Sequence, residues 1–223
     1  MNPLKLLLNS FTYTIPIYGL LLLLTLPSFI LDNFLVLDLS TWLKFPFLII
    51  IIYLANLILS IWIVGAVIYY VYHYLTKQKV SIIQGLQHSF KKIEQLILGS
   101  LMCSGLVLLS LILLVIPGVY ILVKFNFFPY AIVIENCTAK EGINRSSDLV
   151  RGYWWSVFLG ILVILLLTYF PNYLSSQIIL KLYSNIEDAN AEMIGNILGF
   201  LVSPFRQVYH ALLFIRLQRL SSH

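Results

Sequence analysis

The sequence is short of charge. Only 10% of its 223 residues are Asp, Glu, Lys or Arg, where a soluble domain carries about 25%. So little polar surface cannot cover an ordinary core, which excludes a soluble globular fold. There are two cysteines, Cys103 inside an apolar run and Cys137 in a polar segment. That argues against a disulfide between them, and no thiolate spacing for zinc exists. The four histidines, His73, His88, His210 and His223, are scattered. None has a second His or a carboxylate four residues on, as a helical metal site requires. No close acidic pair lies in an apolar run, and no G-x-S-x-G, P-loop or G-x-G-x-x-G is present. The expectation is a protein that is not an enzyme and takes no cofactor or metal. The net charge is +5, but no basic domain carries it, so nucleic acid is not an expected partner.

What is abundant is hydrophobic: 60% of the residues. Several runs reach about 20 residues, enough to cross roughly 30 Å of hydrocarbon at about 1.5 Å per residue. The expected fold is all-α: a polytopic membrane protein with six transmembrane helices, near 13–31, 45–74, 96–116, 119–135, 153–170 and 192–216. The N-terminal run follows one Lys and lacks a small-x-small cleavage site, so it reads as an uncleaved first helix. The second span is long enough to tilt or project into water. Ile116-Pro117-Gly118 reads as a tight reversal between spans three and four.

Orientation follows from the basic residues. Lys5, Lys77, Lys79, Lys91, Lys92, Lys140, Arg145, Arg151, Arg216 and Arg219 fall on one side, and Lys44 and Lys181 on the other. Positive charge marks the cytoplasmic face, so both termini are expected there, in a bacterial cytoplasmic (inner) membrane or an equivalent energised one. Asp32, Asp38, Glu187 and Asp188 fall outside. Tyr69, Tyr70, Tyr72, Tyr74, Trp154 and Trp155 suit the inner interface.

The segment from Thr138 through "GINRSSDLVRGYWW" is polar yet runs straight into a span. Ala139, Gly142, Ile143, Ser146, Leu149, Val150 and Tyr153 share one helical face, and Lys140, Glu141, Asn144, Arg145, Asp148 and Arg151 the other. Thr138 and Glu141 have capping-box spacing. Small Gly142 and Ser146 allow close helix approach, Gly152 allows a bend, and Trp154 and Trp155 mark the interface. The segment reads as an interfacial elbow. The stretch from Ser81 aligns with it: Gly85 with Gly142, Leu86 with Ile143, Ser89 with Ser146, Ile93 with Val150. Leu7 and Ser10 take similar places near the N-terminus. The reading is one integral membrane domain over 1–223, built from threefold repeat units 2–75, 81–135 and 138–216. Short amphipathic interfacial helices then precede spans 1, 3 and 5.

Ile116, Pro117, Gly118, Lys124, Pro129, Glu135, Arg145, Ser146, Trp154 and Trp155 carry a resemblance. Their pattern resembles the membrane domain associated with glycerophosphoryl diester phosphodiesterases, and related bacterial six-span proteins. Gly142 stands where that family often has Ala. The resemblance is clearest over about 80–170. It implies a stand-alone bacterial membrane protein. It does not imply the phosphodiesterase reaction, which belongs to a separate soluble barrel of about 250 residues for which this chain has no room.

Two groups of residues are candidates for function. Lys124, Asn126, Arg206, Gln207 and His210 are polar within spans, and a mid-membrane charge usually faces the bundle interior or water. Lys124 and Arg206 are therefore expected to point inward, Arg206 beside a carbonyl freed by Pro204. Glu192 and Asn196 are candidates for the same interior. Gly142, Arg145, Ser146, Arg151, Trp154 and Trp155 form the elbow. The leading expectation is a protein that binds lipid, through anionic headgroups on the cytoplasmic side, or a partner protein or second copy at the membrane. The alternative is a small carrier or channel for an anionic solute or lipid, using Lys124 and Arg206.

Overall fold

A computed structural model of the chain describes residues 3–37, 46–182 and 188–221. The expectations placed on Asp38, Lys44, Glu187 and His223 lie outside them, as do those on the side chains of Lys181, Asp188 and Glu192. Among the described residues every regular element is helical. Helix α1 (Pro3–Thr14) passes through a 3-10 turn (Ile15–Ile17) into α2 (Tyr18–Leu37). Then come α3 (Pro46–Leu75), α4 (Ile82–Lys91), α5 (Ile93–Leu113), α6 (Val115–Phe125) and α7 (Phe128–Ile134). The chain ends with α8 (Ala139–Val150), α9 (Trp154–Leu182) and α10 (Asp188–Ser221).

Among the described residues five stretches are long and apolar enough to cross a membrane: Lys5–Asn33, Ile50–Leu75, Ile93–Ile112, Val115–Ile134 and Gly195–Ser221. Helix α8 and the stretch Trp154–Phe170 make a sixth if taken together, across a bend of 101°. Large apolar side chains such as Phe47, Ile112 and Ile116 stand more than four-fifths exposed. Water would penalise that surface and hydrocarbon does not. The protein is an all-α, multi-span membrane protein of five to six long apolar helices.

The helices pack as antiparallel pairs: α2 with α3, α5 with α6, α9 with α10. Helix α10 also lies against α1, α2 and α3, and α3 lies against α7. Buried residues from α3, α7 and α10, among them Val71, Ile132, Tyr209 and Phe214, knit the centre together. We call the end that holds α4, α8 and the C-terminal end of α10 the elbow end, and the other the distal end.

Two sequence expectations change in detail. The reversal between spans three and four falls at Leu114, the one extended residue between α5 and α6 (φ −164°, ψ 146°). Pro117 sits within the first turn of α6, where its missing N–H is not needed by the helix. Gly118 lets that turn close on Leu111, whose Cδ2 would lie 2.5 Å from an added Cβ. The N-terminal unit also differs from an elbow. A 3-10 turn with Pro16 in its first positions joins α1 to α2, and Lys5–Asn33 is a single span, longer than the expected 13–31.

Candidate functional site

The elbow and the bundle interior place their polar residues very differently. The elbow helix α8 starts with a complete capping box. The Thr138 hydroxyl accepts from the Glu141 N–H, and the Glu141 carboxylate accepts from the Thr138 N–H and hydroxyl. Those hydrogen bonds hold the Glu141 carboxyl below its ordinary value. Six of the seven residues expected on the inner face are buried; Tyr153 is half-buried. Gly152, at φ +81°, makes the bend into α9, a conformation that costs glycine nothing. Trp154 donates to the Tyr120 carbonyl at 3.2 Å, and Trp155 stands 70% exposed.

Within the elbow, Ser146 is fully buried and bonded on both sides. Its Oγ donates to the Lys124 carbonyl (2.9 Å) and accepts from the Phe127 N–H (3.0 Å). It thereby bridges the break between α6 and α7. Gly142 faces the next turn: an added Cβ would meet the Phe128 carbonyl at 3.3 Å and Ile132 Cγ1 at 2.8 Å. Arg145 is paired with Glu135 (2.7 Å), which holds its guanidinium above its ordinary pKa. Gln218 also donates to Glu135, and Tyr72 donates to Gln218. One chain of hydrogen bonds thus ties α3, α10, the end of α7 and α8. Arg151 differs, being exposed and paired with its helix neighbour Asp148 at 3.2 Å.

Helix α4 repeats this geometry. Ser81 and Gln84 form its capping box. Buried Ser89 donates to the Trp62 carbonyl (2.7 Å), and an added Cβ on Gly85 would lie 3.1 Å from the Ala66 carbonyl. Trp62 and Ala66 are one turn apart on α3, as Lys124 and Phe128 are across the α6–α7 break. In α1, Ser10 is also buried, but it donates to Leu7 of its own helix. Helix α1 packs on α10, where Phe11 and Phe205 rings lie 4.7 Å apart.

Among the described residues, two cavities meet at Arg206. The one toward the elbow end has about 200 Å³ and is lined by Asn126, Tyr130, Arg206, Gln207 and His210 with valines of α3. The one toward the distal end has about 360 Å³; its polar lining includes Ser28, Asp32, Thr168, Asn196, Ser203 and Arg206. Thr25, Val64, Arg206 and Gln207 line both. Asn196 donates to Asn33 (3.3 Å) at the distal rim. Among the described residues Arg206 enters no ion pair. Ser203 Oγ and Gln207 Oε1 beside it are buried without a hydrogen-bond partner. Such orphans are uncommon in proteins and are expensive where nothing fills the space.

Of the five intramembrane candidates, Asn126, Arg206, Gln207 and His210 share one cavity. Lys124 does not line it. Its ammonium lies 5.8 Å and 6.0 Å from the Tyr120 and Phe125 ring centres. Its long stem is half-buried and carries the ammonium to these two rings, as amphipathic lysines commonly do. Among the described residues no group of three His, Cys, Asp or Glu is placed to hold a metal.

Residues 54–215 match the family described as Domain of unknown function (DUF7847). The chain belongs to this family. The match runs from within α3 to near the end of α10, so it takes in both capped elbows and Arg206. It supports a multi-span helical membrane domain of unknown function, and not specifically the glycerophosphoryl diester phosphodiesterase family. No curated protein and no solved structure matches the chain. The distal cavity of this DUF7847 protein extends beyond the matched region through Thr25, Ser28 and Asp32.

Sequence reasoning missed Ser203, Thr25, Ser28, Asp32, Asn56 and Ser60. A signal was present. Thr25, Ser28 and Asp32, then Asn56 and Ser60, then Asn196, Ser203 and Gln207 recur at three, four or seven residues within apolar helices. Each series forms one polar stripe on a helix face.

Proposed function

We propose that this protein is a non-enzymatic membrane component that binds an anionic group at Arg206, in the middle of its bundle. One observation carries the reading: Arg206 stands where two cavities meet, beside two buried polar atoms that lack partners. A guanidinium suits phosphate and carboxylate geometry. A cation held at mid-membrane with no ion pair is expensive unless an anion or water answers it, and Asp32, on the wall of the same cavity, makes no ion pair with it. Cavities toward both ends favour a carrier over a fixed scaffold. With ten basic residues near the elbow end, that end faces the cytoplasm in this reading.

The repeat belongs to the same reading. The matched Gly and Ser contacts of α4 and α8 support two copies of one unit, and the seat of α1 on α10 supports a diverged third. The cavity nearer the elbow end is walled mainly by α3, α7 and α10, the second spans of those units. A threefold arrangement would leave its central space there.

The test is native mass spectrometry of protein released gently from its own membranes. A retained anionic species should be present in wild type and lost in Arg206→Gln, while Lys124→Gln keeps it. A bound species indifferent to Arg206 would overturn the proposal. A second reading has one observation of its own: Lys91, Lys140, Arg151 and Trp155 are exposed around the elbows. They would add surface attraction for anionic headgroups of about 1 kcal/mol per basic residue.

A further inference from the structure

The distal cavity does not end at its polar walls. At Asp32 and Ser60 it adjoins a groove of about 750 Å³ between α3 and α5. This groove is mainly apolar, lined by Ile50, Leu54, Leu57, Ile61, Ile97 and Leu101 among others. Where the two spaces adjoin sits Asn56, which also lines the groove and is only 6% exposed. Its Nδ2 donates to the Asp32 carboxylate, 2.5 Å away. A carboxylate accepts only, so this bond fixes which way the amide faces. The Asn56 Oδ1 is then left buried with no partner.

The three features run in order through the protein. Arg206 offers donors to an anion. Asp32 and Asn56 Oδ1 offer acceptors, which call for a hydroxyl or another donor. The groove beyond offers hydrocarbon. We infer that the ligand at Arg206 is a phosphate-headed amphiphile with a hydroxyl near its head and one apolar chain, the chain lying in the α3–α5 groove. This rests on the anion site proposed above and names what kind of anion fills it. A small anion alone would leave Asn56 Oδ1 unanswered. A neutral lipid would leave Arg206 unanswered. Both spaces fall within the roughly 300–1,000 Å³ usual for small-molecule sites.

Three probes separate the parts in detergent-solubilised protein, read by native mass spectrometry titration. Glycerol 3-phosphate carries head and hydroxyl. Oleoyl lysophosphatidic acid adds the chain, and monoolein has chain and hydroxyl without phosphate. The lysophosphatidic acid should bind tighter than glycerol 3-phosphate by about tenfold or more, and monoolein should not compete. Arg206→Gln should lose both phosphates. Leu57→Trp, which fills the groove from a lipid-exposed position, should remove only the advantage of the chain. Ser104→Phe, at another groove-lining residue, should do the same if Leu57→Trp perturbs folding. Equal binding of the two phosphates, both dependent on Arg206, would overturn the amphiphile while leaving the anion site standing. Binding indifferent to Arg206 would overturn both.

Discussion

The elbow α8 and the stretch of α10 around Arg206 each place an arginine and a serine in a largely apolar protein, and they treat them in opposite ways. Arg145 has Glu135, and Ser146 has a donor and an acceptor. Among the described residues Arg206 has no ion pair, and the Ser203 hydroxyl beside it has no hydrogen-bond partner. A saturated polar cluster fixes the position of helices; an unsaturated one, next to open space, is prepared for something else. The sequence marks both clusters equally, and partner saturation is what tells them apart in the structure.

The sharpest way to break this contrast is Arg206→Gln. If the cluster serves a ligand, anion binding should fall by ten- to hundredfold, as expected when a charged hydrogen-bonding group worth about 1.5–3 kcal/mol is lost. Thermal unfolding in detergent should barely move. Ser146→Val should do the reverse. It strands the Phe127 N–H and the Lys124 carbonyl, and should cost about 2 kcal/mol of stability, read as a lowered unfolding temperature with anion binding kept. Gly142→Ala pushes a methyl toward Ile132 and the Phe128 carbonyl and should cost about 1–3 kcal/mol by overpacking, again in unfolding alone.

The smallest effect is one of pH. Glu141 has a depressed pKa in the folded elbow, so its capping contribution is present above its ordinary value of 4.5. It is lost as pH falls through the depressed folded value. The unfolding temperature of wild type should therefore exceed that of Glu141→Gln at neutral pH, and the gap should close in acid. A gap that widens in acid would reverse the assigned sign.

Much of the architecture was legible because it is local. Capping at Thr138 and Glu141, the buried face of α8 and the bend at Gly152 follow from neighbours within a turn or two. Apolar length announces the membrane. What was not legible depends on packing. The position of Leu114 rather than Pro117 at the reversal reflects how well proline suits a first turn. That Lys124 does not line the Arg206 cavities depends on how α6 packs against α10, which no single helix reveals. The cavities needed the polar stripes of α2, α3 and α10 to be read together, although each stripe stands in the sequence.

The proposed division, a saturated cluster that holds the fold and an unsaturated one that binds, separates stability from binding. It is tested most directly by measuring unfolding temperature and lysophosphatidic acid binding on the same preparations of wild type, Arg206→Gln and Ser146→Val. A crossed result is expected: Arg206→Gln stable but binding ten- to hundredfold more weakly, Ser146→Val destabilised but binding as wild type does. An Arg206→Gln protein that unfolds early, together with a Ser146→Val protein that is stable and fails to bind, would contradict it.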